Sequence, residues 1–220
     1  MRNTILVISF VAICIPALSQ KKRFESGYVV SLHGDTISGM IQHKGKFSLC
    51  KGINFKADGM ADSTMLLEPS DVSSFCFYDH GKCYKSLAYR NNSKELTHGF
   101  GELLFEDEIK LYKLYLESSE HNGIKYTDEV AYVIERDSIH YTLLQPRAAV
   151  VKKEDAFFYN QRFENSKLSN PVRKEYLGIL YRLFMDCPHL RASISKVDFD
   201  DDELVGIIKE YLACKRECNK

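Results

Sequence analysis

The chain of 220 residues has no surplus of either charge: 30 Lys+Arg stand against 30 Asp+Glu. A cationic nucleic-acid binder and an acidic disordered tail both fit that balance poorly. There is no tryptophan, so the aromatic content is carried by 13 Tyr and 13 Phe. No internal repeat is present, which sets aside solenoids and propellers. After the first nineteen residues no apolar run approaches the ~20 residues that a membrane-crossing helix needs. Also missing are a Gly-x-Ser-x-Gly elbow, a His-Glu-x-x-His helix and a phosphate-cradling glycine loop. The common signatures of nucleophilic catalysis, zinc hydrolysis and nucleotide chemistry go with them. What remains is ordinary globular composition, 45% hydrophobic and 27% charged, in a length that suits one domain or two small ones.

Residues 1–19 read as a secretory signal. Arg2 gives the positive start, Ile5 to Ile15 the apolar centre broken by Ser9, and Ala17-Leu18-Ser19 the small residues a signal peptidase inspects. Cleavage is expected before Gln20. Lipidation at Cys14 is not expected, because the bulky Ile13 precedes it. The expected destination is the periplasm or cell envelope, with no integral membrane span after cleavage. Loss of the segment leaves Cys50, Cys76, Cys83, Cys187, Cys214 and Cys218. An even number in an exported chain permits disulfides without requiring them.

From residue 20 to about 165 the pattern is that of an antiparallel β-meander, an open sheet or a partly closed barrel. Gly34-Asp35 suits a two-residue type II′ turn. That turn would pair Leu32 with Ile37, Val30 with Gly39 and Tyr28 with Ile41 on an apolar face. A second hairpin bending at Arg136-Asp137 would pair Ile134 with Ile139 and Tyr132 with Tyr141. A third around His80-Gly81 would set Phe77 opposite Tyr84. Strands are also expected at Ile53–Phe55, Met65–Leu67 and Ile109–Leu116. The last is apolar on both faces and so central. The stretch 154–163 fits either a loop or a short helix.

From residue 166 to 220 the period becomes helical. Asn170-Pro171 reads as an N-cap followed by proline at the first helical position. Val172, Tyr176, Ile179, Leu180, Leu183 and Phe184 follow at helical spacing, and Pro188 ends the run. A second helix starts at the acidic residues Asp200 to Glu203, carries Leu204, Ile207, Ile208 and Tyr211 on one face, and ends near Lys215 and Arg216. The expected fold class is therefore α+β: a β-meander followed by a C-terminal αα-hairpin packed on the same unit.

Several blocks have a familiar form: Gly27-Tyr28-Val29-Val30, Gly34-Asp35-Thr36-Ile37-Ser38-Gly39-Met40-Ile41, Pro69-Ser70-Asp71-Val72-Ser73-Ser74-Phe75, Leu183-Phe184-Met185-Asp186-Cys187-Pro188-His189-Leu190, and Tyr211 in the last helix. In these the chain resembles a family of exported, uncharacterised envelope proteins abundant in Bacteroidetes. The likeness spans most of residues 27–212. It departs at Leu212, where related chains often carry asparagine after the tyrosine. The resemblance implies export and an envelope setting, and brings no activity with it.

The reactive side chains give no site. Cys76, His80 and Cys83 offer three metal ligands where zinc needs four. Two unlinked small side chains or a disulfide are the simpler readings, since a one-residue register change would make the cysteines neighbours. Cys187 reads as a small buried hydrophobe at a helix end. A plain hairpin would set it near the start of the second helix, so a bond to Cys214 is not expected. Cys214 and Cys218 read as two thiols on a fraying terminus. The acidic run Asp198 to Glu203 fails the EF-hand pattern, which needs glycine sixth and glutamate twelfth. The seven histidines (33, 43, 80, 98, 121, 140 and 189) are scattered. Lys21-Lys22-Arg23 reads as a solvated stub, and Asn91-Asn92-Ser93 as a chance sequon. No catalytic, cofactor-binding or metal residue is assigned. The leading expectation is a non-enzymatic binding module for an envelope protein or glycan. Its competitor is a periplasmic hydrolase with a site of dispersed Asp, His and Tyr.

Overall fold

The computed structural model describes residues 23–60, 63–90, 96–117, 120–121, 124–126, 129–144, 149–150, 171–197 and 200–218. The signal segment, Lys21-Lys22, Asn170, the Asn91 sequon and 154–163 lie outside the described residues.

Thirteen strands are described. In the N-terminal part these are β1 (Phe24–Ser31), β2 (Thr36–Gln42), β3 (Ile53–Ala57), β4 (Met65–Leu67) and β5 (Val72–Phe77). Then follow β6 (Cys83–Arg90), β7 (Leu96–Glu106), β8 (Ile109–Glu117), β9 (Glu120–His121), β10 (Ile124–Tyr126), β11 (Glu129–Arg136), β12 (Ile139–Leu144) and β13 (Ala149–Val150). The short helix α1 (Lys46–Lys51) lies between β2 and β3. At the C-terminal end stand α2 (Pro171–Leu183), a 3-10 turn (Pro188–Leu190), α3 (Arg191–Lys196) and α4 (Asp201–Cys218).

Ten strands form one open antiparallel sheet in the order β12-β11-β8-β7-β6-β5-β1-β2-β3-β4, and β13-β10-β9 form a second, small one. Two meanders, β1 to β4 and β5 to β8, are thus joined by the β1–β5 pairing. β12 comes against β6 although three strands separate them in the sheet, so this half is curled.

One face of the sheet carries two large apolar clusters. Val29, Ile41, Phe55, Phe75, Phe77, Tyr84 and Phe100 form its N-terminal cluster with Leu49 of α1. Ile109, Leu111, Val130, Tyr132, Ile134 and Leu143 form its C-terminal cluster, covered by Tyr176, Leu180, Phe184, Ile194, Leu204, Ile208 and Tyr211. The opposite face differs between the halves. On β6, β8 and β11 it closes on itself through Leu87, Tyr89, Tyr112, Leu114, Ala131 and Val133. On β1, β2 and β5 it carries Ser26, Tyr28, Ser38 and Ser74, none of them buried. As expected, β8 is central and buried on both faces.

The hairpins form, with corrected registers. In β1–β2, Val29 faces Ile37, Gly27 faces Gly39 and Glu25 faces Ile41. The offset from the expected pairing is odd, so the inward face of β1 changes. Leu32 and Ile37 are 61% and 44% exposed rather than packed together. The cause is the loop. Ser31 Oγ accepts hydrogen bonds from the backbone N–H groups of His33 and Asp35, both at 3.1 Å. The Ser31 N–H donates to the Asp35 carbonyl at 2.8 Å. This serine turn holds a four-residue loop instead of the two-residue one. Gly34 does adopt the expected positive φ, +93°.

In β11–β12 the bend is at Asp137-Ser138, not Arg136-Asp137. Both residues have positive φ, 51° and 63°, the signature of a type I′ turn. Ile134 faces Tyr141 and Tyr132 faces Leu143. This offset is even, so the inward face survives. In β5–β6, Phe75 rather than Phe77 faces Tyr84, and Cys76 faces Cys83.

Among the described residues the helical end holds three helices rather than two. Asp200 caps α4 by accepting from the Asp202 N–H at 2.8 Å. Asp201 takes Lys113 of β8 at 2.8 Å and the Tyr132 hydroxyl of β11 at 2.6 Å. The acidic run is therefore a helix start that docks on the sheet. At the other end Lys215 and Arg216 pair with Glu108 and Asp107 of the β7–β8 turn. The expectation for Cys187 is overturned: it is bonded to Cys214. The 3-10 turn and α3 lie between α2 and α4, so α4 does not fold straight back from Cys187. Its C-terminal half lies against the end of α2, with Phe184 and Tyr211 rings 4.7 Å apart. Cys214 is accordingly a buried half-cystine, not a frayed thiol.

Candidate functional site

A cleft of about 320 Å³ opens on the face opposite the helices, where the curled half gives way to the open one. Tyr28 of β1 and Ser73 and Ser74 of β5 form one wall. Lys85, Leu103, Glu106, Lys110 and Tyr112 of β6, β7 and β8 form the other, and the Cys76–Cys83 pair lies between. Strand alternation explains the set. Tyr28, Ser74, Cys76, Cys83, Lys85 and Tyr112 all occupy the face that β1 and β5 leave wet and β8 keeps dry.

Glu135 of β11 stands behind this lining. Its Oε2 accepts from Lys85 Nζ at 2.9 Å and from the Tyr112 hydroxyl at 3.1 Å, and lies 3.5 Å from His140 Nε2. Burial alone would raise its pKa. The Lys85 ammonium, with Tyr112 and His140, outweighs burial and holds the carboxyl below its ordinary 4.5. The Tyr112 phenol is pushed up, first by burial and then by the Glu135 charge. Lys110 is pushed up by its 2.6 Å hydrogen bond to Glu106. The cleft therefore sets Lys85 against Glu135 and Lys110 against Glu106, with the Glu135 carboxyl held ionised and the Tyr112 phenol held protonated. None of these shifts moves a group toward proton exchange at neutral pH.

A second cluster lies on the apolar face. Glu25, 7% exposed, receives Arg23 Nε at 3.3 Å and His43 Nδ1 at 3.0 Å on Oε1, and His80 Nε2 at 3.3 Å on Oε2. It ties β1, the end of β2 and the β5–β6 turn together. The sequence reading missed it because the expected register turned Glu25 outward. In the observed register Glu25 shares its face with Gly27 and Val29, and two histidines far apart in sequence meet on it.

The reactive residues singled out from sequence separate cleanly. Cys76 and Cys83 are joined as a disulfide, and His80 serves Glu25 instead of a metal. Among the described residues no group of three His, Cys, Asp or Glu side chains is placed to hold a metal ion. Cys50 is a buried free thiol whose pKa burial pushes up to about 11, which makes it a poor nucleophile. Cys218 is free and exposed. Among the described residues no helix is long and apolar enough to cross a membrane. No protein-family model, no curated protein and no solved structure matches the chain.

Proposed function

We propose that the chain is an exported protein of the cell envelope that binds a ligand in the cleft between Tyr28 and Lys110 and does not turn it over. The observation that carries this reading is the state of the cleft's ionisable groups. An acid–base hydrolase needs, beside any ionised carboxylate, a partner group that gives up a proton near neutral pH, or an activated hydroxyl or thiol. Here Glu135 is held ionised by Lys85 and Tyr112, and the Tyr112 phenol is held protonated. Two disulfides favour an oxidising compartment, in agreement with the signal-like residues 1–19 and with the resemblance to exported proteins.

Two measurements test it. N-terminal sequencing of protein recovered from an exporting host should begin at or within a few residues of Gln20; a form that keeps Met1 overturns the localisation. Incubation with solubilised envelope glycan and peptide fractions should shift the amide resonances of β5, β6 and β8 while releasing no new product. Product release that is abolished in Glu135→Gln would replace this reading with the hydrolase.

A further inference from the structure

We infer that the cleft takes a neutral saccharide, one or a few sugar rings presented side-on to Tyr28. This rests on the binding-module reading and names its ligand class.

Three features select that class. The first is charge. Each ammonium in the cleft already has a carboxylate, Lys85 with Glu135 at 2.9 Å and Lys110 with Glu106 at 2.6 Å. An anionic ligand would have to compete with those carboxylates, and a cationic one with the ammoniums. A polyol does neither. Its hydroxyls accept from the remaining ammonium N–H groups and donate to carboxylate or phenol oxygens, so neither pair is broken. The Tyr112 hydroxyl gives its proton to Glu135, which leaves its oxygen as an acceptor.

The second is the backbone. A peptide bound in extended form gains most of its affinity from main-chain hydrogen bonds at a free strand edge. The cleft lies over β5, β6, β7 and β8, each of which has a sheet neighbour on both sides. It offers side chains, not an edge. Among the described residues the end strands of this sheet are β4 and β12, both away from the cleft lining.

The third is shape. About 320 Å³ lies at the small end of the ~300–1,000 Å³ usual for ligand clefts. That volume suits a sugar ring. Tyr28 is half-buried and tilted against Tyr78 with ring centroids 5.5 Å apart. It gives the wall a fixed aromatic surface, whose negative face attracts the polarised C–H groups of a pyranose.

The test is a titration of the ¹⁵N-labelled mature chain with chitotriose, cellotriose and maltotriose. Trigalacturonate and a blocked Thr/Val-alternating heptapeptide serve as competing probes. At least one neutral trisaccharide should shift amides of β5, β6 and β8. Tyr28→Ala and Lys110→Ala should each weaken that binding tenfold or more with the rest of the spectrum unchanged. Lys215→Ala, on α4, should leave it unchanged. Stronger binding of trigalacturonate than of any neutral probe, or equal binding by Tyr28→Ala, overturns the saccharide assignment. Cleft shifts with the heptapeptide alone also overturn it, while leaving the binding-module reading in place. No shift with any probe or envelope fraction overturns both.

Discussion

The two halves of the large sheet differ in how many faces they bury. In β1 and β2 one face is packed and the other is wet. Val29 and Ile41 are buried, whereas on the opposite face Ser38 is exposed and Met40 is 36% exposed. In β8 and β11 neither face is wet. Leu111 and Ile134 pack under the helices while Leu114 and Val133 pack inside the curl, all four at 0% exposure. A sheet strand can afford two dry faces only when something covers each. Here α2 to α4 cover one and the curl toward β6 covers the other. The cleft lies where this second cover ends, so polar and charged residues take over from the apolar interior along a single face.

That contrast sets the scale of core substitutions. Leu111→Ala should destabilise the chain by about 2–5 kcal/mol, because the surrounding helices and strands cannot all collapse into the space. Ile37→Ala removes a similar volume from a side chain already 44% exposed at the turn end of β2 and should cost under about 1 kcal/mol. Urea denaturation of the two variants measures the difference directly. Equal losses would show that the N-terminal half is as tightly covered as the C-terminal one.

The two disulfides sharpen the comparison. Cys187–Cys214 spans 27 residues and staples the end of α2 to α4; Cys76–Cys83 spans 7 residues across a hairpin. The loop-entropy account gives about 3–4 kcal/mol for the first and about 2 kcal/mol for the second. The Cys187→Ala/Cys214→Ala chain should therefore melt below the Cys76→Ala/Cys83→Ala chain. The reverse order in calorimetry would show that the helical cover is held by packing alone.

Gly34 probes the wet half where it turns. Its φ of +93° disfavours any side chain, and an added Cβ would meet nothing within 4 Å. Gly34→Val should then cost about 1–3 kcal/mol through backbone conformation alone. Unchanged denaturant stability would mean that the loop relaxes into another turn.

What could be read from sequence follows the same division. The double apolar periodicity of Ile109 to Leu116 identified a strand with two buried faces, and the acidic start and basic end of α4 identified its limits. Both signals are local. Register was not legible, because Ser31 closes its loop through side-chain hydrogen bonds that outcompete a well-formed Gly-Asp turn. The same odd slip hid Glu25. In the other two hairpins the slip was even, so the right residues pointed inward despite the wrong partners. The Cys187–Cys214 bond was missed because it depends on where α3 sends the chain, a matter of tertiary packing. The cleft draws on five strands and had no contiguous signal.

The smallest expected effect lies at the border of the two halves, in Glu135. Its side chain is 18% exposed and that of Lys85 is 37% exposed, so solvent screens the pair and its contribution is modest. Glu135→Gln keeps the shape and should cost about 1 kcal/mol at neutral pH. The sign of the pH dependence follows from the direction of the shift. The folded carboxyl titrates below its ordinary 4.5 because Lys85 and Tyr112 favour the ionised form over the neutral form that burial favours. Its stabilisation is therefore fully present above pH 4.5. It is lost as pH falls through the lower folded value, where both states are protonated. Urea melts of the wild-type chain and Glu135→Gln at pH 7, 5, 4 and 3 isolate this group from every other carboxylate. The gap between them should still be open at pH 5 and close as pH falls below 4.5. A gap that widened below pH 4.5 would mean that burial outweighs Lys85, that Glu135 is the raised carboxyl a general acid requires, and that the cleft is built for proton transfer after all.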